Sequence, residues 1–395
     1  MNLKKEITSS RVGAPVHVLQ VAPDPKIRFA GGPTAIARSI MGWSNYFRAK
    51  GIELCFFNSV IVDRNNSSQG KWTIGNIRNF LAFRREFLQR IMRGEPADIV
   101  HLHSSCGVAL LKDLLVAEEA AWRTKTVIAV HVHYAGFEEI LPSNLLFAKL
   151  TLWLMRYGRS NYILLSNKDR KEFIKESIDS SRLKMIPNFH FIEEMPSISH
   201  KQIEADVPLK LLFLGSLGKR KGITDLMRSL EGIENSKYKL HIAGTYIDDE
   251  TESEVSSLIA VLGLEASVVF HGFTSGEEKE ALMRATDVLL LPSYGEGMPV
   301  VILEAFSYGI CVVSTPVGAI PEVVEHNQNG LLNKPGDITA IRATIQELVD
   351  DREHLNRLKH NAYQSAQTYS PQGFRDELTS TLMEWAGVNF HDSGT

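Results

Sequence analysis

Two sets of six short apolar runs, separated by a stretch without periodicity, set the limits on what this chain can fold into. The first set is VHVLQVAP (16–23), ELCFFNSV (53–60), ADIVHLHS (97–104), KTVIAVHVHY (125–134), NYILLSN (161–167) and RLKMIPN (182–188). Longer helical patterns stand between these β-branched and apolar runs, as in βαβ units built on a parallel sheet. From Pro187 to Pro208 the pattern lapses into prolines, serines and charges, and reads as a linker. It restarts with LKLLFLGS (209–216), KLHIAGT (239–245), SVVFHGF (267–273), TDVLLLPS (286–293), ICVVSTP (310–316) and GLLNKP (330–335). After Ser370, PQGFRDELTSTLMEWAG has the spacing of one more amphipathic helix.

The expected organisation is therefore an N-terminal Rossmann-like domain over 1–195, a second over 196–370, and a C-terminal helix over 371–395 packing back on the first. A chain of 395 residues, 44% of them hydrophobic, exceeds what one core usually serves and can fill two. In open α/β sheets ligands bind beyond the carboxyl ends of the strands, so two such domains facing each other predict a central cleft walled by both sets of loops.

A formal net charge of −3 gives no field for gripping nucleic acid, so an anionic ligand must be met by a local cluster. Cys55, Cys106 and Cys311 show no CxxC pairing and read as small apolar residues in a reducing compartment. No signal-peptide pattern and no apolar run long enough to span a bilayer is found, which predicts a cytoplasmic protein.

The chemistry is concentrated in loops after predicted strands. Behind TDVLLLPS comes YGEGMP and then VVILEAFSYG, with Pro299 suited to a first helical turn and Gly309 to a C-terminal cap. Glu296 lies on the loop and Glu304 inside the helix; a carboxylate can accept the two neighbouring hydroxyls of a ribose, and free helix-start amides suit a phosphate. Gly297 lets the backbone come close to a ligand. Upstream, LFLGSLGKRKGITDLMRSL sets Lys219, Arg220 and Lys221 between Gly218 and Gly222, a plausible clamp for a diphosphate. Gly31 and Gly32 precede a helix starting near Pro33, without the strict GxGxxG fingerprint of dinucleotide enzymes. His101 and His103, and His131 and His133, fall at i and i+2 near strand ends; with no Cys or acidic ligand in step with them, no metal site is expected.

The string PSYGEGMPVVILEAFSYG (292–309), followed by STPVGAIPEVVEHNQNGLL (314–332), resembles the signature of glycosyltransferase family 4, a large group of GT-B enzymes. The resemblance implies a retaining, metal-independent transfer of a sugar from a nucleoside diphosphate to an acceptor hydroxyl, with no cofactor, in polysaccharide or glycolipid assembly. It places Glu304 on the nucleotide ribose, Glu296 near the donor sugar, and the backbone around Gly297, Met298 and Pro299 along the donor, Pro299 offering no N–H. It assigns Lys221 to the diphosphate, His131 to the donor sugar near the reacting carbon, and the Gly31–Gly32 loop to the border of donor and acceptor. The chain departs from the pattern at Ser216, where most relatives carry arginine; Arg220 and Lys219 are the candidates to substitute.

Two segments bear on the acceptor. KWTIGNIRNFLAFRREFLQRIMRG (71–94) couples Trp72, Phe80, Phe83 and Phe87 with five arginines, and LLFAKLTLWLMRYG (145–158) is similarly amphipathic. Either is the core face of a domain helix or a surface for a lipid-linked acceptor at the inner face of a membrane. Two rival functions share the architecture: a GT-B sugar-nucleotide epimerase, and a non-catalytic sugar-nucleotide-binding protein, which Ser216 slightly favours.

Overall fold

The computed structural model describes residues 14–24, 32–59, 74–93, 97–134, 136–197 and 207–388. The chain divides into two compact units, Met1–Pro187 together with Gln372–Thr395, and Asn188–Pro371.

The first unit carries β1 (Val16–Ala22), β2 (Ile52–Asn58), β3 (Ile99–Ser104), β4 (Val127–Val132), β5 (Asn161–Leu164) and β6 (Leu183–Met185), in the order β2-β1-β3-β4-β5-β6. The second carries β7 (Leu209–Leu214), β8 (Tyr238–Ala243), β9 (Val268–Gly272), β10 (Val288–Leu291), β11 (Cys311–Ser314) and β12 (Gly330–Leu332), in the order β12-β11-β10-β7-β8-β9. Every pairing is parallel. All twelve strands coincide with the apolar runs of the sequence to within a few residues.

Burial on both faces explains the runs of inner strands such as β3, β10 and β11, since a parallel strand covered by helices on each side has no solvent face to alternate with. Val100, Leu102, Ile128 and Val130 of β3 and β4 join Leu110, Leu111 and Leu114 of the helix Val108–Arg123 in the first core. Leu211, Phe213, Val288 and Leu290 of β7 and β10 join Leu226, Met227, Ile345 and Leu348 in the second.

The two amphipathic segments differ. In the helix Ile74–Arg93, Phe83 and Phe87 are buried in the first core with their rings stacked 5.6 Å apart, so this aromatic stripe is a core face. Trp72 lies outside the described residues. The helix Leu145–Tyr157 instead buries Thr151, Leu154 and Met155 and exposes much of its apolar surface.

The C-terminal helix Pro371–Trp385 sinks Phe374, Leu378 and Leu382. The Arg375 guanidinium lies over the Trp43 ring at 4.8 Å, and Lys184 Nζ meets Glu384 Oε2 at 2.5 Å. Cys311 is buried, whereas Cys55 and Cys106 are only half-buried. Among the described residues no helix is long and apolar enough to cross a membrane.

Candidate donor site at the switch point of the second sheet

In the second sheet the strand order reverses between β10 and β7. Connections from these two neighbours run off in opposite directions, leaving a crevice at their carboxyl ends, the place where open α/β sheets take ligands. The two loops bordering it are Gly215–Gly222 after β7 and Pro292–Pro299 after β10.

These loops are locked together by backbone and side chain. Gly222 has φ +75°, and a Cβ there would meet the Pro292 carbonyl oxygen at 2.1 Å, so only glycine allows the approach. Tyr294 N–H donates to the Arg220 carbonyl at 2.8 Å, and the Arg220 guanidinium returns a bond to the Gly295 carbonyl. Lys221 Nζ donates to Glu296 Oε1 at 2.6 Å, and Ser293 Oγ donates to the same oxygen at 2.7 Å. With side-chain exposures of 15% for Lys221 and 7% for Glu296, this ion pair is mostly withdrawn from water, where its Coulomb energy is weakly screened. Lys219 turns outward to Glu250, and Ser216 is exposed.

The next layer holds the loop in register with the helix Val300–Ser307. Pro299 is the residue before the first helical turn, and Gly309 adopts φ +63° just past the last. Asn188 Nδ2 donates to the Met298 carbonyl at 2.8 Å, and Ala319 N–H donates to the Gly297 carbonyl at 3.0 Å. Glu304 is buried in the helix, and both its oxygens accept from Lys279 Nζ. The structure thus brings Arg220, Lys221, Glu296, Gly297, Met298 and Pro299 together at one crevice.

Ser293, Asn188 and Lys279 escaped the sequence reading. Lys279 stands in SGEEKEAL, an ordinary charged surface pattern, and no spacing rule connects it with Glu304 twenty-five positions on.

In the first unit the switch point lies between β1 and β3. Gly31 is outside the described residues; Gly32 opens the helix Gly32–Gly42, with nothing within 4 Å of where a Cβ would stand. Close by in the sheet the four strand-end histidines form two hydrogen-bonded pairs, His101 Nε2 with His131 Nδ1 at 3.3 Å and His103 Nδ1 with His133 Nε2 at 2.7 Å. Gln20 Oε1 of β1 extends the second pair, accepting from His103 Nε2 at 3.0 Å. The pairs stack, with the His131 and His133 rings 4.1 Å apart.

Burial holds all four imidazoles neutral, driving His101 and His133 down to about 3 and His103 and His131 well below the usual imidazole value. His131 is fully buried, and its Nε2 has no hydrogen-bond partner. Three nitrogens, one each from His101, His103 and His131, lie within 4.8 Å of one another, close enough for one metal ion to be considered. The donor set is wholly neutral, is engaged in ring-to-ring hydrogen bonds, and includes no carboxylate or thiolate to offset a buried dication.

A family model for group 1 glycosyl transferases matches residues 195–365. An uncharacterized glycosyltransferase of Methanocaldococcus jannaschii is 33% identical over 159 residues, 39% of this chain and 40% of that protein. A putative colanic acid biosynthesis glycosyltransferase of Salmonella typhimurium is 28% identical over 208 residues, 48% of each chain. The chain thus spans about half the length, or less, of these curated relatives. Among solved structures, HepE of Anabaena in complex with UDP superposes with a TM-score of 0.70 at 19% identity, covering 93% of this chain and 100% of that one. The segment 195–365 belongs to the group 1 glycosyl transferases, and the chain that carries it has the GT-B fold.

Proposed function

We propose that the chain is a retaining glycosyltransferase that moves a sugar from a nucleoside diphosphate to an acceptor hydroxyl in polysaccharide or glycolipid assembly. The observation that carries the reading is the part-buried Lys221–Glu296 pair at the switch point of the second sheet. A cation held there by a carboxylate is ready to exchange part of that contact for a diphosphate, whose negative charge grows as the sugar departs. The exposed Arg220 beside it is the proposed second cation, in place of the arginine that Ser216 lacks. Their charge takes the role that a divalent ion would otherwise fill, and no cofactor is invoked.

Glu304 would accept two hydroxyls of the ribose, and Glu296 would face the developing positive charge on the sugar. The backbone of Gly297, Met298 and Pro299 would line the donor, with the Gly31–Gly32 loop at its border with the acceptor. His131, neutral and with an unpartnered Nε2, is the proposed contact to the sugar near its reacting carbon. The acceptor proton would pass to a diphosphate oxygen on the same face, leaving the anomeric configuration unchanged. Support for a nucleotide donor comes from HepE, whose solved complex contains UDP.

The reading is tested by screening nucleoside-diphosphate sugars for thermal stabilisation of the purified chain, then incubating each hit with and without carbohydrate and lipid-linked acceptors. Acceptor-dependent release of nucleotide, with an NMR-assigned product of the donor's anomeric configuration, is expected. A new sugar nucleotide formed from donor alone would mark an epimerase instead. Binding with neither hydrolysis nor transfer would mark a binding protein.

A further inference from the structure

The helix Leu145–Tyr157 leaves one face uncovered. Asn144 caps its start by accepting from Leu146 N–H and Phe147 N–H, and Thr151, Leu154 and Met155 fix the opposite side in the first unit. On the open side stand Leu145 (69% exposed), Leu146 (71%), Trp153 (57%) and Tyr157 (72%). Leu145, Lys149, Trp153 and Tyr157 follow one another at i, i+4 spacing, so they form a single stripe. Trp122, 76% exposed, stands near the helix end, next in the chain to Ala121, whose carbonyl accepts from the Arg159 guanidinium.

The segment that carries the stripe has charges of one sign. Residues 145–160 contain no acid and three cations, Lys149, Arg156 and Arg159. Nearby carboxylates are already engaged: Glu118 by the backbone N–H groups of Arg159 and Ser160, Glu119 by Arg84 and Arg123, and Glu176 by Arg156. Lys149 has no ion-pair partner among the described residues. A second copy packed on this face about a twofold axis would set cation against cation with no acid of the stripe between them. An anionic bilayer surface complements it: leucines enter the acyl boundary, the Trp and Tyr rings suit the headgroup layer, and the cations meet lipid phosphates. The helix is 13 residues, about 20 Å, too short to span and suited to lying flat.

We infer that the Leu145–Tyr157 face docks the first unit on an anionic membrane surface. The test is flotation of the full chain with phosphatidylcholine vesicles, with and without phosphatidylglycerol, at low and high salt. Wild type should float with the anionic vesicles about tenfold better than with the neutral ones, and salt should weaken the association. Leu146→Glu and Trp153→Glu, both at exposed positions, should return it to background with unchanged thermal stability. Val261→Glu, at an 81% exposed apolar position of the second unit, should float like wild type. Equal flotation of Trp153→Glu and wild type overturns the proposal, as does wild type that ignores anionic vesicles. A dimer in light scattering that Trp153→Glu dissolves assigns the face to self-association and equally overturns it. None of these readouts depends on sugar transfer, so this inference and the enzymatic one fail separately.

Discussion

Lys279 Nζ lies 2.6 and 2.7 Å from the two carboxylate oxygens of Glu304, so one ammonium spans the whole carboxylate. The acid is 9% exposed at its side chain and the lysine 29%, which makes the cation the wetter partner. Removing Lys279 strands a buried anion, whereas removing Glu304 leaves an ammonium that water can reach. Lys279→Met should therefore cost more stability than Glu304→Gln, by on the order of 1–3 kcal/mol, a value below that of fully buried pairs because the lysine is part-solvated. Urea denaturation of both variants decides it; equal midpoints would show that the pair carries no such asymmetry.

Donor binding should follow the same contact. Glu304→Ala is expected to weaken nucleotide affinity by about tenfold or more, as a charge-assisted pair of hydrogen bonds is lost. Calorimetric titration with the nucleotide found by screening measures this, and an unchanged Kd removes Glu304 from the donor site.

Lys221→Ala should lower kcat/KM by about 10²–10³, since charge on a departing diphosphate would lose its nearest compensation. Lys221→Arg should recover part of the loss. Steady-state turnover of the three proteins is the check, and full activity in the alanine variant would end the proposed role.

Gly222→Ala pushes a methyl against the Pro292 carbonyl at a backbone angle that disfavours any side chain. A stability loss of about 1–3 kcal/mol is expected, with weakened donor binding, because the two crevice loops must separate. Gly232→Ala is the control: it shares a positive φ, +81°, but has nothing within 4 Å, so only the backbone part of the cost should remain.

The histidine stack predicts acid sensitivity. Each imidazole is held neutral in the folded chain, with a pKa below its unfolded value of 6.5, so its stability contribution is complete above that pH and is lost as pH falls from there towards about 3. At pH 5 the unfolded chain has gained protons that the folded one refuses, at about 2 kcal/mol for each such imidazole. The melting temperature should fall steeply from pH 7.5 to 5, and less so in His101→Asn. A flat profile would mean that the rings protonate in place.

The strands were legible because burial on both faces leaves an unbroken apolar run, as in VLLL of β10. The crevice was legible through Gly222, Lys221 and Glu296, whose positions after strands follow from the βαβ pattern. Pairings across the fold were not: nothing in SGEEKEAL marks Lys279 as a partner of Glu304. Nor did amphipathic spacing separate Phe83 and Phe87, which fill a core, from Leu146 and Trp153, which face outward. Both stripes have the same period, and only the neighbouring elements decide which is covered.

The return of the C-terminal helix to the first unit has a consequence for biosynthesis. Phe374 sits against the His131 ring, 6.4 Å between centroids, and Leu378 and Leu382 are wholly buried, so these contacts form only after the whole second unit has been made. The unit that leaves the ribosome first is thus the one finished last, and a fragment ending at Pro187 would emerge with an open seam where that helix belongs.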